Sequence, residues 1–130
     1  MIAAGIGCKR GAPVSDIEAA IRIALARAQI GAEALDAIAT TQAKSSEHGI
    51  RIVAETFGVA FLVVPELELT AANGRVETHS ERVTALAGVG SVAEAAALAA
   101  AGPASKLIVP RVIVGTATCA LATSPPESTP

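Results

Sequence analysis

Residues 7–11, Gly7-Cys8-Lys9-Arg10-Gly11, place two adjacent cations and a thiol between two glycines. Backbone lacking Cβ atoms lets a ligand approach closely, and an arginine can grip a carboxylate or phosphate through paired hydrogen bonds. Anion binding is one reading of this segment; a tight turn whose charges are merely solvated is the other. Two nucleotide motifs are excluded. In Gly5-Ile6-Gly7-Cys8-Lys9-Arg10-Gly11 the last glycine falls one residue too late for GxGxxG, and no GK[ST] ending follows.

Cys8, beside two cations, sits where a thiol pKa falls, but no partner base is near in sequence, so a small packed hydrophobe is the competing reading. Cys119 lies in an apolar run and reads as core. His48 and His79 stand in separate polar stretches without ligand spacing, so no metal site is expected. A second polar segment, residues 40–47, carries Thr41, Lys44 and Glu47. In a doubly wound fold it shares a sheet edge with residues 7–11 and can meet them around one ligand. Its alternative is a solvated surface with a serine cap. Thr78, Ser80, Ser91 and Glu94 are accounted for by helix capping, and Arg111, among Val109, Val112 and Val114, needs water or a partner.

These positions depend on the elements that carry them. Residues 2–6 form a short apolar run ended by Gly7, the pattern of a buried strand. Ser15-Asp16-Ile17-Glu18 reads as a capping box opening a helix with Ile17, Ile21, Leu25 and Ala28 on one face and Gly31 as its stop. Residues 37–41 read as a second strand. Ser45 or Ser46 caps a helix carrying Ile50, Val53, Ala54 and Phe57, and residues 60–64 form a third strand cut off by Pro65. Residues 65–90 are less regular, with an Asn73-Gly74 turn and a short helix from Thr78 through Leu86. Ser91-Val92-Ala93-Glu94 opens an alanine helix to Ala101, and runs 106–114 and 116–123 form a hairpin around Gly115. The alternation predicts an α/β fold: a three-layer αβα sandwich on a mostly parallel sheet of about five strands, closed by a C-terminal antiparallel hairpin at its edge. Residues 124–130, rich in Pro and Ser, read as a disordered tail.

Composition narrows the function. The 130 residues carry a net charge of -2, are 52% hydrophobic and only 17% charged, so a folded domain is expected and a nucleic-acid partner is not. Two Phe and no Trp or Tyr leave no platform for stacking bases. Alanine dominates the apolar count, which predicts helices lying close to their neighbours. Two distant cysteines argue for a reducing compartment. No leader is expected at Met1, and the apolar stretch 92–110 is interrupted by Glu94, Gly102, Pro103 and Lys106, so no membrane span is expected. The expected location is cytoplasmic.

Four blocks carry a resemblance: Gly5 to Gly11; Thr41, Lys44, Glu47 and Gly49; Ser91 to Leu98; and Ala117 to Ala122. In this order and spacing they resemble the family of the cobalamin biosynthesis protein CobE and the C-terminal domain of CbiG, the cobalt-precorrin-5A hydrolase. The resemblance spans residue 2 to about residue 123, one domain over 1–123. It implies a role in building the corrin ring of vitamin B12. The implied ligand is a tetrapyrrole intermediate of the precorrin or hydrogenobyrinic-acid type, with other pathway enzymes as further partners and no cofactor. The implied ligand-binding positions are Gly7, Cys8, Lys9, Arg10, Gly11 and Thr41. One expectation is a carrier or accessory factor of the aerobic route. The other is a hydrolase that opens a δ-lactone and releases acetaldehyde, with Lys44 or Glu47 as base. Corrin precursors carry many acetate and propionate groups, which suit a loop offering amides and cations. Val14, Pro65 and Leu67 are candidates for an apolar surface under the macrocycle.

Overall fold

The computed structural model describes residues 1–42, 47–72, 76 and 92–124. Its elements are β1 (Ile2–Cys8), α1 (Val14–Ala28), a 3-10 turn (Ala32–Ala34), β2 (Ala37–Thr41), α2 (His48–Phe57), β3 (Ala60–Val64), α3 (Glu66–Ala72), α4 (Val92–Ala101), β4 (Lys106–Val114) and β5 (Ala117–Thr123). The strands form one sheet in the order β3-β2-β1-β5-β4. β1, β2 and β3 are parallel, whereas β5 runs antiparallel to both β1 and β4. The three-layer αβα sandwich follows, with the hairpin at one edge.

The two faces of the sheet are packed differently. On one, α1 and α2 bring Ile17, Ile21, Ile50 and Val53 against Ile6, Ile38 and Leu121. Each such aliphatic side chain withdrawn from water contributes about 1.5–3 kcal/mol. On the other, α3 and α4 bring Leu69, Leu98 and Ala95 to Ala97 against Ala3, Ala39 and Ala122. Small side chains on both sides of that second layer let α4 lie close to the sheet. The closest approach is at Gly5, where a Cβ would collide with the Ala93 carbonyl oxygen and stand 2.5 Å from the Ala97 nitrogen. Gly5 and the alanine helix are thus two halves of one packing contact.

Several local expectations are corrected. β1 does not end at Gly7 but continues through Cys8, because β5 pairs with it as far as Cys8 opposite Ala117. Helix α1 starts at Val14, one residue before the expected Ser15 cap. Pro13, at φ −68° and ψ 148°, is the cap residue and makes no side-chain bond to the helix. Proline already holds a φ suited to this position, so the serine is not needed there. Glu18 pairs with Arg22 at 2.9 Å instead of closing a capping box. The helix stops at Gln29, in the left-handed conformation at φ 58°, before Gly31 is reached. Helix α3 occupies part of the segment read as irregular; Pro65 ahead of Glu66 and Glu68 was its signal. Helix α2 takes Glu47 as its cap residue, in place of the expected Ser45 or Ser46. The expected helix from Thr78, the Asn73-Gly74 turn, the cap at Ser91, and residues 125–130 lie outside the described residues. Ser124 donates its backbone N–H to the Met1 carbonyl at 3.0 Å.

Strand β4 carries two register shifts, between Leu107 and Val109 and between Val109 and Val112. Pro110 has no N–H for a ladder, and the irregularity turns the Arg111 amide toward α4, where it donates to Glu94 Oε2 at 2.8 Å. Glu94 is fully buried, so its role reaches beyond the capping expected of it. The Arg111 side chain itself is half-buried on edge strand β4, so the contact with Glu94 is made by its backbone and not by its charge.

Candidate functional site

The β1–α1 loop, the end of β2 with the start of α2, and the tip of the β4–β5 hairpin meet at one edge of the sheet. Gly7 and Cys8 are strand residues, paired with Thr118 and Ala117, and Cys8 packs against the α1/α2 core. The exposed loop proper is therefore Lys9, Arg10 and Gly11. The Lys9 amide donates to the Thr116 carbonyl at 2.9 Å, and the Ala12 amide to the Lys9 carbonyl at 3.1 Å, which closes a turn. Gly11 sits at φ +72°, a left-handed conformation that costs any side chain about 1–2 kcal/mol. Its amide donates to both carboxylate oxygens of Glu47, at 3.1 and 3.2 Å. The loop is thus tied to β5 on one flank and to α2 on the other. Among the described residues, neither the Lys9 ammonium nor the Arg10 guanidinium has a carboxylate partner.

Glu47 is the cap residue of α2, yet it makes no side-chain bond to its own helix. Its carboxylate crosses 36 positions of sequence to the first loop, which is how the two polar segments come together. Gly49 makes that approach possible: a Cβ there would lie 2.8 Å from Ile17 Cδ1 and 3.0 Å from the Ala12 carbonyl. Thr41 ends β2, is 9% exposed and pairs with Val64 of β3. The connection after β2 leads to α2 on one face, and that after β3 to α3 on the other. Such a reversal is where open α/β sheets bind ligands. Lys44 and His79 lie outside the described residues, and His48 is exposed at the start of α2.

Two residues that shape the site had no local signal. Asp16 Oδ2 accepts from the Thr116 amide at 3.0 Å and the Thr116 hydroxyl at 2.8 Å, so the chain Asp16–Thr116–Lys9 fixes the loop from the hairpin side. The Thr116 amide, and then its hydroxyl, pull the Asp16 carboxyl below its ordinary value of 3.8. A depressed folded-state pKa supplies stability above the unfolded value that is lost as pH falls through the folded one. Asp16→Asn should therefore lower the melting temperature at pH 7. The gap to the parent protein should close as pH drops below about 4. A gap as wide at pH 2.5 as at pH 7 would refute this.

Of the described thiols, Cys119 is fully buried and burial pushes its thiol pKa up, as its core reading expects. Among the described residues no group of three or more His, Cys, Asp or Glu could hold a metal ion. Nor is any helix among them long and apolar enough to cross a membrane.

A family model described as "Cobalamin synthesis G C-terminus" matches residues 2–122. Protein CobE of a Sinorhizobium species is 36% identical over 118 residues, covering 91% of this chain and 77% of that protein. The cobalt-precorrin-5A hydrolase of Priestia megaterium is 30% identical over 102 residues, which are 78% of this chain but 27% of that enzyme. Among solved structures, that of CobE, a protein from the cobalamin biosynthetic pathway, matches with a TM-score of 0.86. It is 30% identical, over 94% of this chain and 89% of that one.

Proposed function

The chain belongs to the cobalamin synthesis G C-terminus family and has a role in cobalamin biosynthesis, and from that premise we propose that it binds a corrin-ring intermediate through Lys9, Arg10 and Gly11. It acts in the cytoplasm as a carrier or accessory factor of the aerobic pathway, passing the tetrapyrrole to other pathway enzymes. The observation that carries this reading is a pair of exposed cations, uncommitted among the described residues, on a loop closed by the Ala12–Lys9 turn and held to β5 through the Lys9 amide. A tethered loop loses little conformational freedom when an acid group docks, so more of the interaction appears as affinity. Strand β1 ends beside β2, and β2 beside β3, each about 4.8 Å further along the sheet edge. Beyond β3 lie Pro65 and Leu67, the latter 85% exposed at the start of α3. A macrocycle lying along that edge would put acetate or propionate groups on the cations and its apolar face toward Leu67. Thr41 lies between, and Gly7 and Cys8 supply the strand that aims the loop.

Titrating the protein with hydrogenobyrinic acid should change the visible absorbance saturably at micromolar concentration; an unchanged spectrum would overturn the proposal. The hydrolase relative motivates a second reading, δ-lactone opening with Lys44 or Glu47 as base. Because the chain spans about a quarter of that enzyme, its activity is not carried over whole. The Glu47 carboxylate is, besides, already engaged by the Gly11 amide. Acetaldehyde released from a precorrin lactone would favour hydrolysis; intact lactone favours the carrier.

A further inference from the structure

Glu47 places a carboxylate at the amide of the loop that the proposed function gives to the carboxylates of a ligand. The Gly11 N–H is shared almost equally between its two oxygens, beside Lys9 and Arg10 in sequence. The carboxylate supplies the acceptor the amide needs and offsets part of the positive field. It does so while leaving the amides of its own helix start without its side chain. Those amides, at the positive end of α2, are a ready alternative partner for a carboxylate.

We propose that Glu47 is an internal stand-in for a ligand carboxylate: the free protein occupies its own binding loop, and an acidic corrin substituent binds by displacing Glu47 from the Gly11 amide. This rests on the reading of residues 9–11 as the corrin-acid site. Displacement makes the site selective, since a ligand with one isolated acid group must compete with a tethered carboxylate, whereas a polyacid gains contacts with Lys9 and Arg10 as well. The apparent affinity of the free protein is reduced by the fraction of molecules in which the loop is already vacated. It also couples two elements, because every bound ligand releases α2 from the β1–α1 loop.

The test compares hydrogenobyrinic acid titrations of the parent protein with Glu47→Gln, Glu47→Ala and Glu47→Asp. The first two remove the charge; the third keeps it on a side chain one methylene shorter, which draws the carboxylate back from the Gly11 amide. Displacement predicts tighter binding in all three, by roughly fivefold or more, the lower end of ordinary site-to-site coupling. It also predicts that the Gly11 amide resonance of the parent protein moves on ligand addition. Tightening confined to the Gln and Ala variants would mean simple relief of charge and would overturn displacement. Unchanged or weaker binding in every variant, with the parent protein binding normally, would make Glu47 a strut and leave the corrin-binding reading standing. Absence of binding in the parent protein and all variants would remove both.

Discussion

Replacing Gly5 with alanine should lower folding stability by about 3 kcal/mol, and replacing it with valine should leave no measurable folded population. The added methyl would enter space held by the Ala93 carbonyl and the Ala97 nitrogen, and both are helix backbone. Neither can swing aside as a flexible side chain would. Helix α4 would have to lift from β1, opening the alanine layer of Ala3, Ala39, Ala96, Ala97 and Ala122 along its length. Urea unfolding measures the effect. Gly11→Ala is the contrast, because no atom lies within 4 Å of a Cβ there and only the positive φ opposes it. That change should cost about 1 kcal/mol. Similar losses at the two positions would show that α4 is not seated on Gly5 as described.

The double change Lys9→Ala, Arg10→Ala should weaken hydrogenobyrinic acid binding by about a hundredfold at low salt and leave the melting temperature nearly unchanged. Each charge-assisted bond to a ligand carboxylate contributes about 1.5–3 kcal/mol, discounted here because both side chains are exposed and screened. Stability is spared because neither side chain is paired among the described residues and the loop is tied by its backbone, through Thr116 and Glu47. The parent protein should lose affinity as salt rises, and the double variant should be almost insensitive to it. Less than a twofold loss of affinity would separate these cations from the binding site. Lys9→Arg and Arg10→Lys would then divide point-charge attraction from paired guanidinium contacts.

The expectations about site residues divide by the range of the contacts behind them. That the first and second polar segments share an edge was legible, because two parallel crossovers bring successive strand ends together. That Glu47 reaches Gly11, and Asp16 reaches Thr116, was not. Both carboxylates sit where a local reading offers a solvated or capping role, and each finds a partner 36 or 100 positions away. Glu94 is a similar case. Its place in a first helical turn accounts for a cap, and only the irregularity of β4 at Pro110 shows why an acid can be buried there.

Periodicity, turn residues and strand–helix alternation determined the sandwich, the parallel trio β1 to β3, the closing hairpin and the family, since each is written in short stretches of chain. The tertiary structure alone decided that β5, not β4, lies beside β1, that β1 runs on through Cys8, and that Gly5 serves helix packing. It also decided which carboxylates hold the basic loop. The physical reason is reach. Propensity and hydrophobic spacing act over a few residues, whereas the seat of a helix on a glycine, or of a carboxylate on an amide, exists only once distant segments have been brought within a hydrogen bond of each other.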